Sequence, residues 1–69
     1  MKSLRDRKLA AVWKATHRDF KGKLNGERSI MVYRNGTCLV LLKDLTDAEI
    51  EDKLPAADRA AFNEENSNG

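Results

Sequence analysis

The stretch FKGKLNGERSIMVYRNGTCLVLL, Phe20–Leu42, decides the fold. It contains two Asn-Gly pairs, Asn25-Gly26 and Asn35-Gly36, each flanked by runs rich in β-branched, aromatic and aliphatic residues. Asn-Gly is the strongest two-residue hairpin signal, because both positions of a type I′ turn need positive φ. Read as two such turns, the stretch predicts a three-stranded antiparallel meander over Phe20–Leu24, Arg28–Arg34 and Thr37–Leu42. The register follows from the turns. Leu24 pairs with Glu27, Lys23 with Arg28, Lys21 with Ile30 and Phe20 with Met31. In the second hairpin Arg34 pairs with Thr37, Tyr33 with Cys38, Val32 with Leu39, Met31 with Val40 and Ile30 with Leu41.

Paired residues share a face. This register therefore predicts a core face of Phe20, Leu24, Met31, Tyr33, Cys38, Val40 and Leu42. The opposite face carries Ile30, Val32, Leu39 and Leu41, ringed by Lys21, Lys23, Arg28 and Arg34. That second face is too apolar to be a plain solvated surface. The third strand reads as buried on both sides, yet a meander leaves it at an edge, where it invites pairing with another chain.

Upstream, Ser3 is a helix-capping residue and Asp6 suits the first turn. No Gly or Pro interrupts the chain from Leu4 to about Arg18. Leu9, Val12, Trp13 and Thr16 fall on one face of this helix, with Arg5 at its N-terminal end; Arg7, Lys14 and Arg18 fall opposite. The apolar stripe, with Trp13, is the natural lid for the sheet. Downstream, Thr46-Asp47-Ala48-Glu49 is a capping box, and Leu45 with Ile50 forms the accompanying hydrophobic staple. A short acidic helix is expected from Asp47 to about Leu54, ended by Pro55 or followed by a second turn through Ala61-Phe62. Ile50, Leu54 and Phe62 are its anchors. Residues 63–69 contain no apolar side chain, so they are expected to be a disordered tail behind a single domain of residues 1–62. The fold class is α+β: an N-terminal amphipathic helix, the meander and a short acidic C-terminal helix.

The chain has 69 residues and a net charge of +2. That is one small domain with little depth for a pocket. The charge is unevenly spread: residues 1–34 hold ten Lys/Arg against three acids, and residues 35–69 hold three against eight. One cysteine excludes an intramolecular disulfide, and the longest apolar run, Cys38–Leu42, is far too short to span a bilayer. The charged N-terminus has no apolar stretch of the kind a secretory signal needs, so a cytoplasmic protein is expected.

Chemistry is sparse. His17 and Cys38 are the sole imidazole and thiol; the cysteine sits on the expected core face, where a thiol is inert, and the histidine sits near a helix C-terminus that favours its charge. No zinc or calcium ligand spacing occurs, and the glycines make no phosphate-binding loop. Neither an enzyme nor a cofactor or metal is expected. The sticky face and edge point instead to a non-enzymatic protein-binding module, an adaptor, inhibitor or assembly component. Ile30, Val32, Leu39 and Leu41 are its expected interface, and a homodimer its expected state. Such compactness suits a bacterial or phage accessory protein. The alternative is a nucleic-acid binder contacting phosphates through Arg7, Lys14, Arg18, Lys21, Lys23, Arg28 and Arg34, although no base-reading motif is visible. No membrane or small-molecule partner is expected.

Overall fold

The computed structural model describes residues 3–67. Its elements run α1 (Leu4–Ala15), a 3-10 turn (Arg18–Phe20), β1 (Lys21–Leu24), β2 (Glu27–Tyr33), β3 (Thr37–Leu41), a second 3-10 turn (Leu42–Asp44), α2 (Asp47–Lys53) and α3 (Ala56–Ser67). The sheet is an antiparallel meander in the order β1-β2-β3. The architecture is the α+β arrangement that the sequence implies.

Local chemistry sets the element ends. Ser3 accepts the Asp6 N–H at 3.1 Å and starts α1. The helix stops at Ala15, earlier than expected, because Thr16 turns extended and its hydroxyl donates to the Val12 carbonyl at 2.7 Å. His17 directly follows the Thr16 cap, just beyond the C-terminus of α1. It caps the following 3-10 turn, its Nδ1 accepting the Asp19 N–H at 3.1 Å. The capping box at α2 is complete: the Thr46 hydroxyl accepts the Glu49 N–H, and the Glu49 carboxylate accepts the Thr46 N–H. Leu54, extended as a residue before proline must be, closes α2, and the Pro55 carbonyl accepts the Arg59 N–H at 2.9 Å at the start of α3. This last helix continues to Ser67, through most of the segment expected to be a tail. An Arg7–Glu65 ion pair ties it back to α1.

The two Asn-Gly turns differ. Asn25 (φ 53°) and Gly26 (φ 82°) form the expected two-residue turn, and β1 pairs with β2 in the expected register, Lys21 with Ile30 through Leu24 with Glu27. At the second turn Tyr33, not Arg34, pairs with Thr37. Arg34 joins Asn35 and Gly36 in a three-residue loop, its N–H donating to the Gly36 carbonyl at 2.8 Å. Val32 therefore faces Cys38, Met31 faces Leu39 and Ile30 faces Val40. A slip of one residue turns a whole strand face over. Cys38 and Val40 keep their inner position, while β1 and β2 are reversed: Ile30 and Val32 point inward and Phe20, Leu24, Met31 and Tyr33 do not. The reason is packing. Compact Ile30 and Val32 fit under α1, whereas a buried Tyr33 would need a partner for its hydroxyl. The slip also swings Arg34 inward, where its guanidinium bonds both Glu49 carboxylate oxygens, at 2.8 and 2.6 Å.

The core lies between this inner sheet face and the helical layer. It consists of Leu9, Val12, Ile30, Val32, Leu42, Leu45, Ile50 and Leu54, with Phe62 of α3 packed against it. Arg5 fastens the layer: its guanidinium donates to the Lys43 and Leu45 carbonyls, at 3.0 and 2.6 Å, and to Asp47 at 3.0 Å.

The Glu49 site gives the fold an acid sensitivity. The Arg34 fork, then the Thr46 N–H, hold the Glu49 carboxyl at about 2, well below the ordinary carboxylate range. A carboxyl depressed on folding stabilises fully above its unfolded pKa, and that contribution is lost as pH falls towards the folded value. Melting temperature is thus expected to fall from about pH 5 down to about pH 2. Glu49→Gln should melt lower at neutral pH and show a shallower acid limb. Parallel acid limbs in the two proteins would show that the fork contributes nothing.

Candidate interaction surfaces

Among the described residues, no helix packs over the outer face of the reversed sheet. Gly22, Leu24, Ser29, Met31, Tyr33, Leu39 and Leu41 share this side by register, and Phe20 joins them at one end. Among the described residues, the exposed large hydrophobics are Phe20, Leu24 and Tyr33, at 55, 36 and 80% exposure. All three belong to this face. Its middle is filled: Leu39 reaches across β2 so that its methyl carbons lie 3.4 and 3.6 Å from where a Gly22 Cβ would be, and Ser29 is fully covered. At one end Phe20, Met31, Tyr33 and Thr37 border an open depression of about 430 Å³ that wraps round to Lys53 of α2.

Of the four expected interface residues, the structure brings Leu39 and Leu41 to this face and removes two. Ile30 is fully buried and Val32 is 4% exposed; both are core, a correction that follows directly from the register. Sequence reasoning missed Phe20, Leu24, Met31 and Tyr33 as surface residues for the same reason. No local signal distinguishes the two loop lengths, since both use Asn-Gly with positive φ.

The two sheet edges contrast. β1 carries Lys21 and Lys23, the charged side chains that commonly blunt an edge. β3, Thr37-Cys38-Leu39-Val40-Leu41, has no charge and no proline, and among the described residues no further strand pairs with it.

The basic residues separate into two sets. Arg7 pairs with Glu65 and Arg34 with Glu49, so these two of the seven expected phosphate contacts are already occupied. Lys21 and Arg28 lie over the Trp13 ring, with Nζ at 4.8 Å and Cζ at 5.2 Å from its centre. Trp13 thus ends as a half-buried platform at the rim rather than the centre of the lid. Lys23 faces Arg28 across the β1–β2 ladder. Arg18 immediately precedes β1, and Lys14 lies on the other side of α1, bordering a groove with Asp58 of α3.

Cys38 is half-buried on the inner face of β3, and His17 is exposed in the α1–β1 connection. Among the described residues no three His, Cys, Asp or Glu side chains gather in a way that could hold a metal ion, and no helix is long and apolar enough to cross a membrane. No protein-family model, curated protein or solved structure matches this chain.

Proposed function

We propose that this chain is a small non-enzymatic protein-binding module that works through the outer face of its sheet and the bare edge of β3, with a second copy of itself as partner. The observation that carries the reading is the gathering of Phe20, Leu24 and Tyr33, the exposed large hydrophobics among the described residues, on the sheet face over which no described helix packs. Exposed apolar residues scattered singly need no explanation; a set on one sheet face joined by half-buried Met31, Leu39 and Leu41 marks an interface. The set is rich in aromatic and methionine side chains, the types enriched at the centres of interfaces. The β3 edge adds a means of orientation. Two copies of an uncharged strand pair antiparallel about a two-fold axis without opposing like charges, whereas the lysines of β1 disfavour the same pairing at the other edge.

The test is sedimentation equilibrium of the wild type and of a Leu39→Thr/Leu41→Thr variant over a wide concentration range. Wild type is expected at twice the chain mass, and the variant at the chain mass with an unchanged circular dichroism spectrum. A wild type that stays monomeric at the highest concentration, or a variant that dimerises equally well, overturns the proposal.

A further inference from the structure

The charges that remain after folding are not distributed like those in the sequence. Arg5, Arg7, Lys8, Arg34, Lys43 and Arg59 each find a carboxylate: Asp47, Glu65, Glu51, Glu49, Glu27 and Glu51 respectively. Four of the eight acids of the C-terminal half, Asp47, Glu49, Glu51 and Glu65, are engaged in this way. Lys21, Lys23 and Arg28 form no ion pair with any described residue, and they stand together. Lys23 and Arg28 are direct cross-strand partners, Lys21 is two residues along the same strand, and Lys21 and Arg28 share one indole. Like charges directly opposite each other in a ladder are unfavourable. Of the carboxylates nearby, Glu27 holds Lys43, Asp6 lines a depression with Arg28, and Asp19 is exposed beside His17 in the turn that leads into β1.

We infer that Lys21, Lys23 and Arg28, arrayed beside Trp13 and continued by Arg18, are a seat for the phosphate backbone of a nucleic-acid duplex. Arg18 extends the row because its carbonyl accepts the Lys21 N–H, which places the two residues one tight turn apart. Two of the cations are held in position by the indole, so little side-chain freedom remains to be lost on binding. A phosphate row relieves their mutual repulsion and releases counterions. The indole face is covered by Lys21 and Arg28 and is therefore closed to an unstacked base. The site offers backbone contacts without a stacking platform, which suits a duplex rather than a single strand, and it carries no sequence readout. This surface lies on the helix side of the sheet, so the inference stands independently of the outer-face interaction.

The experiment is a titration of fluorescently labelled mixed-sequence duplex at several salt concentrations, beside the matching single strand, heparin, and vesicles containing phosphatidylserine. Four phosphate contacts give a log–log salt slope of about −3.6 for a duplex. The K21Q/K23Q/R28Q variant should bind more than tenfold more weakly at low salt. A K8Q/K53Q/R59Q variant of the same net charge, which leaves the Lys43–Glu27 pair intact, should bind like the wild type. Should the first variant fail to fold without its indole contacts, Lys23→Gln alone touches no described partner and should make the slope shallower by about one. Absent duplex binding at low salt, equal losses in the two charge-matched variants, tighter binding of the single strand, or binding of heparin or vesicles in preference to the duplex would each overturn the inference.

Discussion

Ile30→Ala should cost about 3–4 kcal/mol and bring the domain close to its unfolding midpoint in water. Ile30 is fully buried, at the centre of the inner sheet face against the helical layer. Removing three carbons there leaves a cavity that close-packed neighbours fill only partly. A domain of this length has only about 3–10 kcal/mol to lose. The neighbouring residue behaves differently. Met31 is half-buried on the outer face, with no described helix packed over it, so Met31→Ala should cost less, about 1–2 kcal/mol. Urea denaturation of the two variants reads the register directly, because a two-residue Asn35-Gly36 turn with Arg34 opposite Thr37 would reverse their order. Met31→Ala proving the more damaging would refute the pairing of Ile30 with Val40.

That contrast shows where the sequence is legible. The capping signals at Ser3 and at Thr46/Glu49 are chemical: a side-chain oxygen at the right distance has one use, and both caps form. At the first hairpin Asn25-Gly26 takes the common two-residue loop, with Leu24 opposite Glu27. The second turn is ambiguous by one residue, and one residue decides which side of β2 is buried. What resolves it is tertiary. Arg34 must reach Glu49, seated in its cap on a helix that is distant in the chain, and β-branched residues must meet α1. No window of sequence around Asn35 holds that information. The basic surface is legible in part for a similar reason. Composition shows ten cations in the first half, but only the fold shows which of them the C-terminal acids neutralise. Arg7 and Arg34 look no different in sequence from Lys23 and Arg28.

Among the polar contacts the largest loss is expected at Arg5. In sequence it is one cation at the end of an apolar helix stripe; in the fold it joins α1 to the segment that leads into α2. One guanidinium nitrogen serves both the Lys43 and the Leu45 carbonyl, and the other serves Asp47. The Asp47 carboxylate is 95% exposed, so that pair adds little in water. The carbonyls are the stronger partners, because Leu45 is itself buried and its backbone oxygen has little other recourse. Arg5→Ala should therefore cost about 2 kcal/mol, the loss of charged donors to backbone acceptors. The damage should be local before it is global. α2 has seven residues and cannot persist alone, so releasing Leu45 frees the Ile50 and Leu54 N–H groups, which bond the Thr46 and Ile50 carbonyls. Hydrogen exchange at these two amides should accelerate by about thirtyfold, the equivalent of 2 kcal/mol, with smaller changes at amides whose exchange does not require α2 to open. Arg5→Lys should recover little, since a single ammonium lacks the planar fork that reaches carbonyls and carboxylate together. Exchange that accelerated equally throughout the sheet would place Arg5 in the global core, and unchanged exchange at Ile50 and Leu54 would show that the staple of Leu45 on Ile50 holds the layer without it.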